Sequence, residues 1–120
     1  MSKVADYAIL SDNKVEMKIG SDIDKSFTFS LPNSTDLNSR GILMFMLDTV
    51  NPSNLKFHID INGKQVFNGV YNSDVYHSVH EVINTGILKK GSNTCTFVVD
   101  GGGGKLQVGD ITCWYQNSVQ

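Results

Sequence analysis

The clearest pattern in the chain is a strict alternation of apolar and polar residues over positions 55–61. The odd positions are apolar and the even positions are polar or charged, which is typical of a strand with one buried and one exposed face. Asn62 and Gly63 follow, and both tolerate the positive φ angles of a tight type I′ turn. Residues 55–67 therefore predict an antiparallel β-hairpin.

Shorter strand candidates recur along the rest of the chain. They are residues 7–10, 15–19, 27–31, 75–83, 94–99 and 106–115, separated by turn-forming residues. The run 42–47 differs because every position is apolar, which predicts a strand buried on both faces, with a short buried helix as the alternative. Helical periodicity is nowhere sustained. The pattern predicts an all-β antiparallel fold with eight or nine short strands.

The composition and net charge argue against some classes of binding partner. The chain has 120 residues, enough for a single domain over residues 1–120 with a core that needs neither metal nor disulfide. Its net charge is −2 and Arg40 is the only arginine, which argues against nucleic-acid binding and against attachment to anionic membranes. No apolar run approaches the roughly 20 residues of a membrane helix, and no signal peptide is recognisable, so the compartment stays open.

The order of turn motifs resembles a known family. Asn62-Gly63 after the alternating strand, a loop to Tyr76, another strand and then Leu-Lys-Lys-Gly-Ser-Asn at 88–93 are similar to the galactose-binding-domain-like folds, which include carbohydrate-binding modules. The resemblance covers roughly residues 42–115. It implies a β-sandwich of jelly-roll type that binds sugars through loops at one end or through a concave face.

The loop after the hairpin carries the side chains that a sugar requires. Sugars present C–H faces that stack on aromatic rings and hydroxyls that need polar partners. The predicted ligand-binding residues are Asn68, Tyr71, Asn72, Asp74 and Tyr76, with the outward-facing His58 and Asp60 expected across the hairpin from Asn68. Trp114 and Tyr115 are predicted to pack in the core at a strand end.

The sequence does not favour a metal site or a catalytic site. On a strand, His77 and His80 point to opposite faces, so with Glu81 they do not form a zinc site, although a helix would bring them together. Asp22, Asp24 and Asp100 are conceivable Ca²⁺ ligands, but aspartates at turns need no ion to explain them. The sequence has no nucleophile-elbow or phosphate-loop motif, and we predict no catalytic residues, no resident metal and no enzyme activity.

The last part of the chain contains two cysteines and a run of four glycines. Cys95 and Cys113 are predicted to be buried free thiols, with a cross-strand disulfide as the alternative. The four glycines at 101–104 predict a flexible hairpin tip.

The function that these patterns favour is that of a lectin-like, non-catalytic module that recognises carbohydrate at a shallow loop site. Such sites bind weakly, so a homo-oligomer is expected for avidity. The alternative is a structural subunit of a particle, appendage or filament, because sandwich edges can pair with strands of neighbours.

Overall fold

A computed structural model describes residues 2–119, and side chains are described for residues 3–118. This range contains seven strands. They are β1 (Ser2–Ser11), β2 (Val15–Met17), β3 (Asp24–Leu31), β4 (Gly41–Ile61), β5 (Lys64–Tyr71), β6 (Tyr76–Ile83) and β7 (Gly91–Val119). Within it, no helix is long and apolar enough to cross a membrane.

The strands form a two-layered antiparallel sandwich, which confirms the predicted fold class. In the first layer, here called sheet I, β1 and β2 pair with residues 105–119 of β7, which pair with residues 41–50 of β4, which pair with β6. In the second, sheet II, β3 pairs with the first half of β7, which pairs with the second half of β4, which pairs with β5. Apolar side chains between the two layers form one core.

Two long strands connect the layers. β4 and β7 pair with each other along most of their lengths and bend together from one sheet into the other, around residues 51–54 and 101–104. Each therefore contains two of the short strands that the sequence predicts, which is why there are fewer strands than expected. The bends come from left-handed residues that interrupt the pairing register, namely Asn51 and Asn54 on β4 and Gly102 and Gly104 on β7.

The predicted flexible hairpin tip at 101–104 is wrong. Gly102 and Gly104 have φ angles of 88° and 95° and lie directly against the backbone of the β4 bend. An added Cβ at Gly104 would lie 2.5 Å from the carbonyl oxygen of Asn51. These glycines are there because two backbones cross at close range, and only glycine leaves the space for it.

Aromatic rings join the two layers across the core. Phe45 of sheet I meets Phe97 of sheet II edge to face, with 5.3 Å between ring centroids. Phe97 also meets Phe27, and Phe45 also meets Phe67, both edge to face. Such contacts add to the hydrophobic burial of each ring. The alternation read from the sequence thus places these side chains on the inner faces.

The apolar run 42–47 is a strand, but the prediction that both of its faces are buried is wrong. Leu43, Phe45 and Leu47 point into the core, whereas Ile42 is 41% exposed and Met44 is half-buried on the opposite face. No third layer covers that face in the described part of the chain. An unusually apolar outer surface on sheet I is the consequence.

The two cysteines are free and buried, as the sequence predicts. Burial raises the pKa of both the Cys95 and the Cys113 thiol to about 12, and the neighbouring Cys113 adds to the shift at Cys95. Neither thiol is activated as a nucleophile, because the reactive thiolate is disfavoured at both positions.

Candidate functional site

The outward-pointing side chains of sheet I form the surface that we call the outer face. Its composition follows from the register, since directly paired residues lie on the same side of a sheet. One row crosses all four strands through Tyr7, Trp114, Ile42 and Val82. The next rows along β4 are centred on Met44 and Met46. The outer face therefore has one apolar row across its strands and an apolar line along β4, beside which lie His80, Ser78 and Thr112.

An aromatic pair lies in the first of these rows. The rings of Tyr7 and Trp114 are 4.6 Å apart between centroids and tilted by 32°. The indole nitrogen of Trp114 donates a hydrogen bond to Thr112 Oγ1 at 3.2 Å, which fixes the ring orientation. The predicted core packing is correct for Tyr115, which is 8% exposed, and wrong for Trp114, which lies half-buried on the outer face. Adjacent residues on a strand point to opposite sides, so only one of the two can enter the core.

Beside this pair is a groove of about 300 Å³, the Trp114 groove. Its lining includes Ala5, Arg40, Ile42, Met44, Trp114 and Gln116. The volume is at the lower end of the range found for small-molecule sites, and the pattern of an apolar lining with a few polar groups is typical of them. The polar residues of the lining include Arg40 and Gln116.

A second, polar depression of about 100 Å³, the Tyr76 groove, lies at the other end of the outer face. Its lining includes Asp12, Lys14, Met46, Asp48, Tyr76 and Asp110. Tyr76 is 71% exposed, and the Lys14 ammonium lies 5.8 Å from its ring centroid. Lys14 also contacts Asp48 Oδ2 at 3.2 Å. The groove thus combines an exposed aromatic ring with charged hydrogen-bonding groups.

Two of the predicted ligand residues anchor the backbone of the β4 bend. Asn72 Oδ1 accepts a hydrogen bond from the Asn54 amide at 2.8 Å, and Asp74 Oδ1 accepts one from the Asn51 amide at 2.8 Å. The Thr49 hydroxyl stabilises the same loop by donating a hydrogen bond to the Ser73 carbonyl. Asn72 and Asp74 therefore satisfy the amides of two residues in left-handed conformation.

The other predicted residues lie on different surfaces. Tyr71 stacks on Phe57 at 5.8 Å, and burial raises the pKa of its hydroxyl. Asn68 pairs with His58 on the outside of sheet II. Tyr76 is the member that reaches the outer face of sheet I. The structure thus brings Asn72 and Asp74 together in one loop, but it places Asn68, Tyr71 and Tyr76 in three separate environments.

A charged cluster marks the outside of sheet II. His58 Nδ1 lies 2.7 Å from Asp100 Oδ2, and His58 Nε2 lies 3.4 Å from Asp60 Oδ2. The hydrogen bond to Asp100 raises the pKa of His58, and the charges of both carboxylates add to the effect against the opposing desolvation. One carboxylate approaches each nitrogen of the ring. The two carboxylates therefore stabilise the protonated, positively charged form of His58.

This cluster predicts a pH dependence of stability. Because the pKa of His58 is raised above 6.5 in the folded state, its contribution is complete below about pH 6.5 and is lost as the pH rises through the folded-state pKa. We expect the free energy of unfolding, measured by urea titration, to fall from pH 6 to pH 8 and His58→Gln to flatten that fall. His80→Gln, at an exposed position on β6, is the control. An unchanged slope in His58→Gln would show that the cluster does not stabilise the fold.

The remaining candidate metal ligands do not assemble. His77 pairs with Leu47 and His80 with Met44, which places them on opposite faces of β6 as predicted. Asp22 Oδ1 lies 3.8 Å from Lys25 Nζ, and the Asp100 carboxylate contacts the His58 ring. No group of three histidine, cysteine or carboxylate side chains suited to a metal ion is found over residues 2–119.

Comparisons with solved structures identify the fold. A family 35 carbohydrate binding module from an environmental isolate matches with a TM-score of 0.52 and 14% identity over 93% of this chain and 90% of that one. The chain has the same β-sandwich fold as this module. The chain matches no protein-family model, and no curated protein resembles it significantly in sequence.

Higher similarity is found to parts of larger proteins. Dimeric latent PorU from Porphyromonas gingivalis matches with a TM-score of 0.76 and 9% identity over 98% of this chain. A β-porphyranase of glycoside hydrolase family 86 from Bacteroides plebeius matches with a TM-score of 0.68 and 18% identity, also over 98%. The chain spans only 13% and 21% of their respective lengths. The fold thus makes up most of the family 35 module's chain and a small part of the two larger chains.

Sequence reasoning missed most of the outer face. Ile42 and Met44 are indistinguishable from core residues in the sequence because they lie in a continuous apolar run, and Tyr7 lies in a four-residue strand candidate without clear alternation. A partial signal exists, since methionine alternates with leucine and phenylalanine over residues 43–47. The pairing of Tyr7 with Trp114 has no local signal, because it depends on contact between opposite ends of the chain.

Proposed function

We propose that this domain is a non-catalytic carbohydrate-binding module whose ligand lies along the outer face of sheet I. The observation that carries the proposal is the outward-facing row of Tyr7, half-buried Trp114 and Ile42, with a polar groove at the other end of the same face. Pyranose rings present C–H faces to such a surface, and their hydroxyls need hydrogen-bonding groups at its margins. The fold of the family 35 module supports a binding role.

The predicted loop takes part in this site through Tyr76. The ring of Tyr76 is exposed at the end of the outer face, beside the Lys14 ammonium and the Asp48 carboxylate. It supplies an aromatic platform, and the two charged groups supply donors and acceptors for hydroxyls. Asn72 and Asp74 act indirectly, because they hold the loop that precedes Tyr76 against the β4 bend.

The affinity of such a surface is expected to be low. Both grooves are open, and shallow recognition leaves much of the ligand in water, so several linked copies would be needed for tight binding. The proposal therefore includes presentation in more than one copy, either as a homo-oligomer or as repeated domains.

Substitution of Tyr76 tests the site. Trp114 is the only tryptophan, so its fluorescence reports binding on the outer face without a label. After a glycan array has selected a saccharide, we expect Tyr76→Ala to weaken its binding about tenfold, which corresponds to about 1.4 kcal/mol. The loss follows from removal of a stacking surface, and the exposed position leaves folding intact.

Tyr71→Phe is the matched control, since it keeps the ring against Phe57 and removes only the hydroxyl. Its affinity should stay within about twofold of the parent, because the ring that packs the loop is unchanged. If Tyr71→Phe weakened binding and Tyr76→Ala did not, the ligand would lie near Tyr71 and not on the outer face of sheet I. Silence across the array would count against carbohydrate binding itself.

A structural role in an assembly is the second candidate, favoured by the same exposed apolar face and by β6. Among the described strands β6 pairs with β4 alone, which leaves its other edge open. Open edges and uncovered apolar faces promote association of subunits. Size-exclusion chromatography with light scattering separates the two candidates, because large assemblies formed without saccharide would favour the structural role.

A further inference from the structure

The Trp114 groove differs chemically from the rest of the outer face. Its lining includes the apolar residues Trp114, Ile42 and Met44 together with Arg40. Three acidic residues of the outer face, Asp12, Asp48 and Asp110, lie at the other end, in the lining of the Tyr76 groove. The Trp114 groove is thus an apolar depression whose single charged side chain is a cation.

Arg40 is the only arginine among ten basic residues. It forms no ion pair within 4.0 Å in the described range, whereas Lys3, Lys14 and Lys25 each approach a carboxylate. Lys3 already contacts Asp36, the nearest acidic residue along the chain, at 2.7 Å. The guanidinium is therefore available to a ligand, and its planar fork suits carboxylate and sulfate groups better than an ammonium does.

We propose that the Trp114 groove binds a saccharide ring that carries an anionic substituent, either a carboxylate or a sulfate. The ring lies with its C–H face on Trp114 and Ile42, and its anionic group pairs with Arg40. This inference rests on the proposed function and adds the charge class of the ligand. Charge complementarity favours an anionic ligand, because a neutral sugar would leave the one cation of the groove without a partner.

The probe is a titration of Trp114 fluorescence with matched pairs of oligosaccharides. One pair is tetragalacturonate and its fully methyl-esterified form, which differ in the charge of the carboxyl groups. The other pair is a sulfated agar-type oligosaccharide and its desulfated counterpart. Sodium sulfate and sodium acetate alone form the third arm. The pairs distinguish a carboxylate from a sulfate ligand, and the salts distinguish a saccharide site from a simple anion site.

Three variants make the assignment specific. Arg40→Gln removes the charge and keeps a hydrogen-bonding side chain, and Arg40→Lys keeps the charge but loses the fork. Lys56→Gln is the control, because it removes one exposed positive charge from sheet II. Circular dichroism of each variant checks that the fold is unchanged.

The expected result is that one anionic oligosaccharide binds at least about tenfold more tightly than its neutral counterpart, as expected for a charge-assisted pair. Arg40→Gln should abolish that preference, Arg40→Lys should reduce it, and Lys56→Gln should preserve it. Equal binding of charged and neutral forms would overturn the inference while leaving carbohydrate binding intact. Binding of sulfate or acetate as tight as that of the saccharide would also overturn it. No response to any saccharide would contradict the proposed function instead.

Discussion

Gly102→Ala is expected to lower the free energy of unfolding by at least about 3 kcal/mol. Two effects add at this position. The φ angle of 88° is unfavourable for any residue with a Cβ, and the added Cβ would overlap the carbonyl oxygen of Asn54 on the neighbouring bend. Because β4 and β7 cross there, relief of the overlap would separate the two strands that hold both sheets together. Urea denaturation followed by circular dichroism measures the change.

Two other glycines separate these effects. Gly86 has a φ angle of 88° but nothing within 4 Å of an added Cβ, so Gly86→Ala should cost about 1 kcal/mol from backbone strain alone. Gly101 has neither a positive φ angle nor a close neighbour, so Gly101→Ala should change stability by less than about 0.5 kcal/mol. If Gly102→Ala were no worse than Gly86→Ala, the close crossing of the two strands would be refuted.

The second large effect is expected at Asn93, which is 1% exposed. Its Oδ1 accepts hydrogen bonds from Asn62 Nδ2 at 2.8 Å and from the Lys89 amide at 3.0 Å, and its Nδ2 donates to the carbonyls of Lys89 and Gly91 at 2.8 and 3.0 Å. Asn93→Ala leaves these buried partners unsatisfied. We expect a loss of about 3 kcal/mol in the free energy of unfolding, measured by the same urea titration.

Asn93→Asp and Asn33→Ala complete this test. The aspartate keeps an acceptor for Asn62 but directs a second oxygen at the carbonyls of Lys89 and Gly91, so it should also be strongly destabilising. Asn33 is exposed, and its replacement should change stability by less than about 0.5 kcal/mol. A small effect of Asn93→Ala would mean that the loop between β6 and β7 holds its shape without this side chain.

Much of the fold is predictable from local sequence. Alternation over residues 55–61 and the Asn62-Gly63 turn specify the hairpin of β4 and β5, because side-chain period and turn chemistry are both local properties. The final asparagine of the motif at 88–93 also has a local meaning, since it binds the backbone of its own loop. These signals are sufficient for the fold class.

The bends in β4 and β7 are not predictable from local sequence. Asn51 and Asn54 are typical of turns between strands, and so are the glycines at 101–104. In the structure both segments are continuous with their strands, because each bend is paired with the other across the sandwich. A bend within a strand and a turn between strands use the same residue types, so only long-range pairing distinguishes them.

The candidate site is predictable only in part. Tyr76 lies where a loop meets a strand, and its exposure follows from that local position. The outward direction of Trp114 depends on the register of β7 against β1 and β4, whose segments are far away in the sequence. A one-residue shift of that register would exchange Trp114 with Tyr115 in the core. Local patterns therefore find the polar end of the outer face and miss its aromatic end.

The most direct test of ligand binding on the outer face of sheet I is an NMR titration of isotope-labelled protein with a saccharide selected on the array. The predicted result is a set of shifts that includes the Trp114 indole N–H, the Met44 methyl group and the Tyr76 ring. Shifts confined to residues 72–74, or to the outside of sheet II around His58, would contradict it.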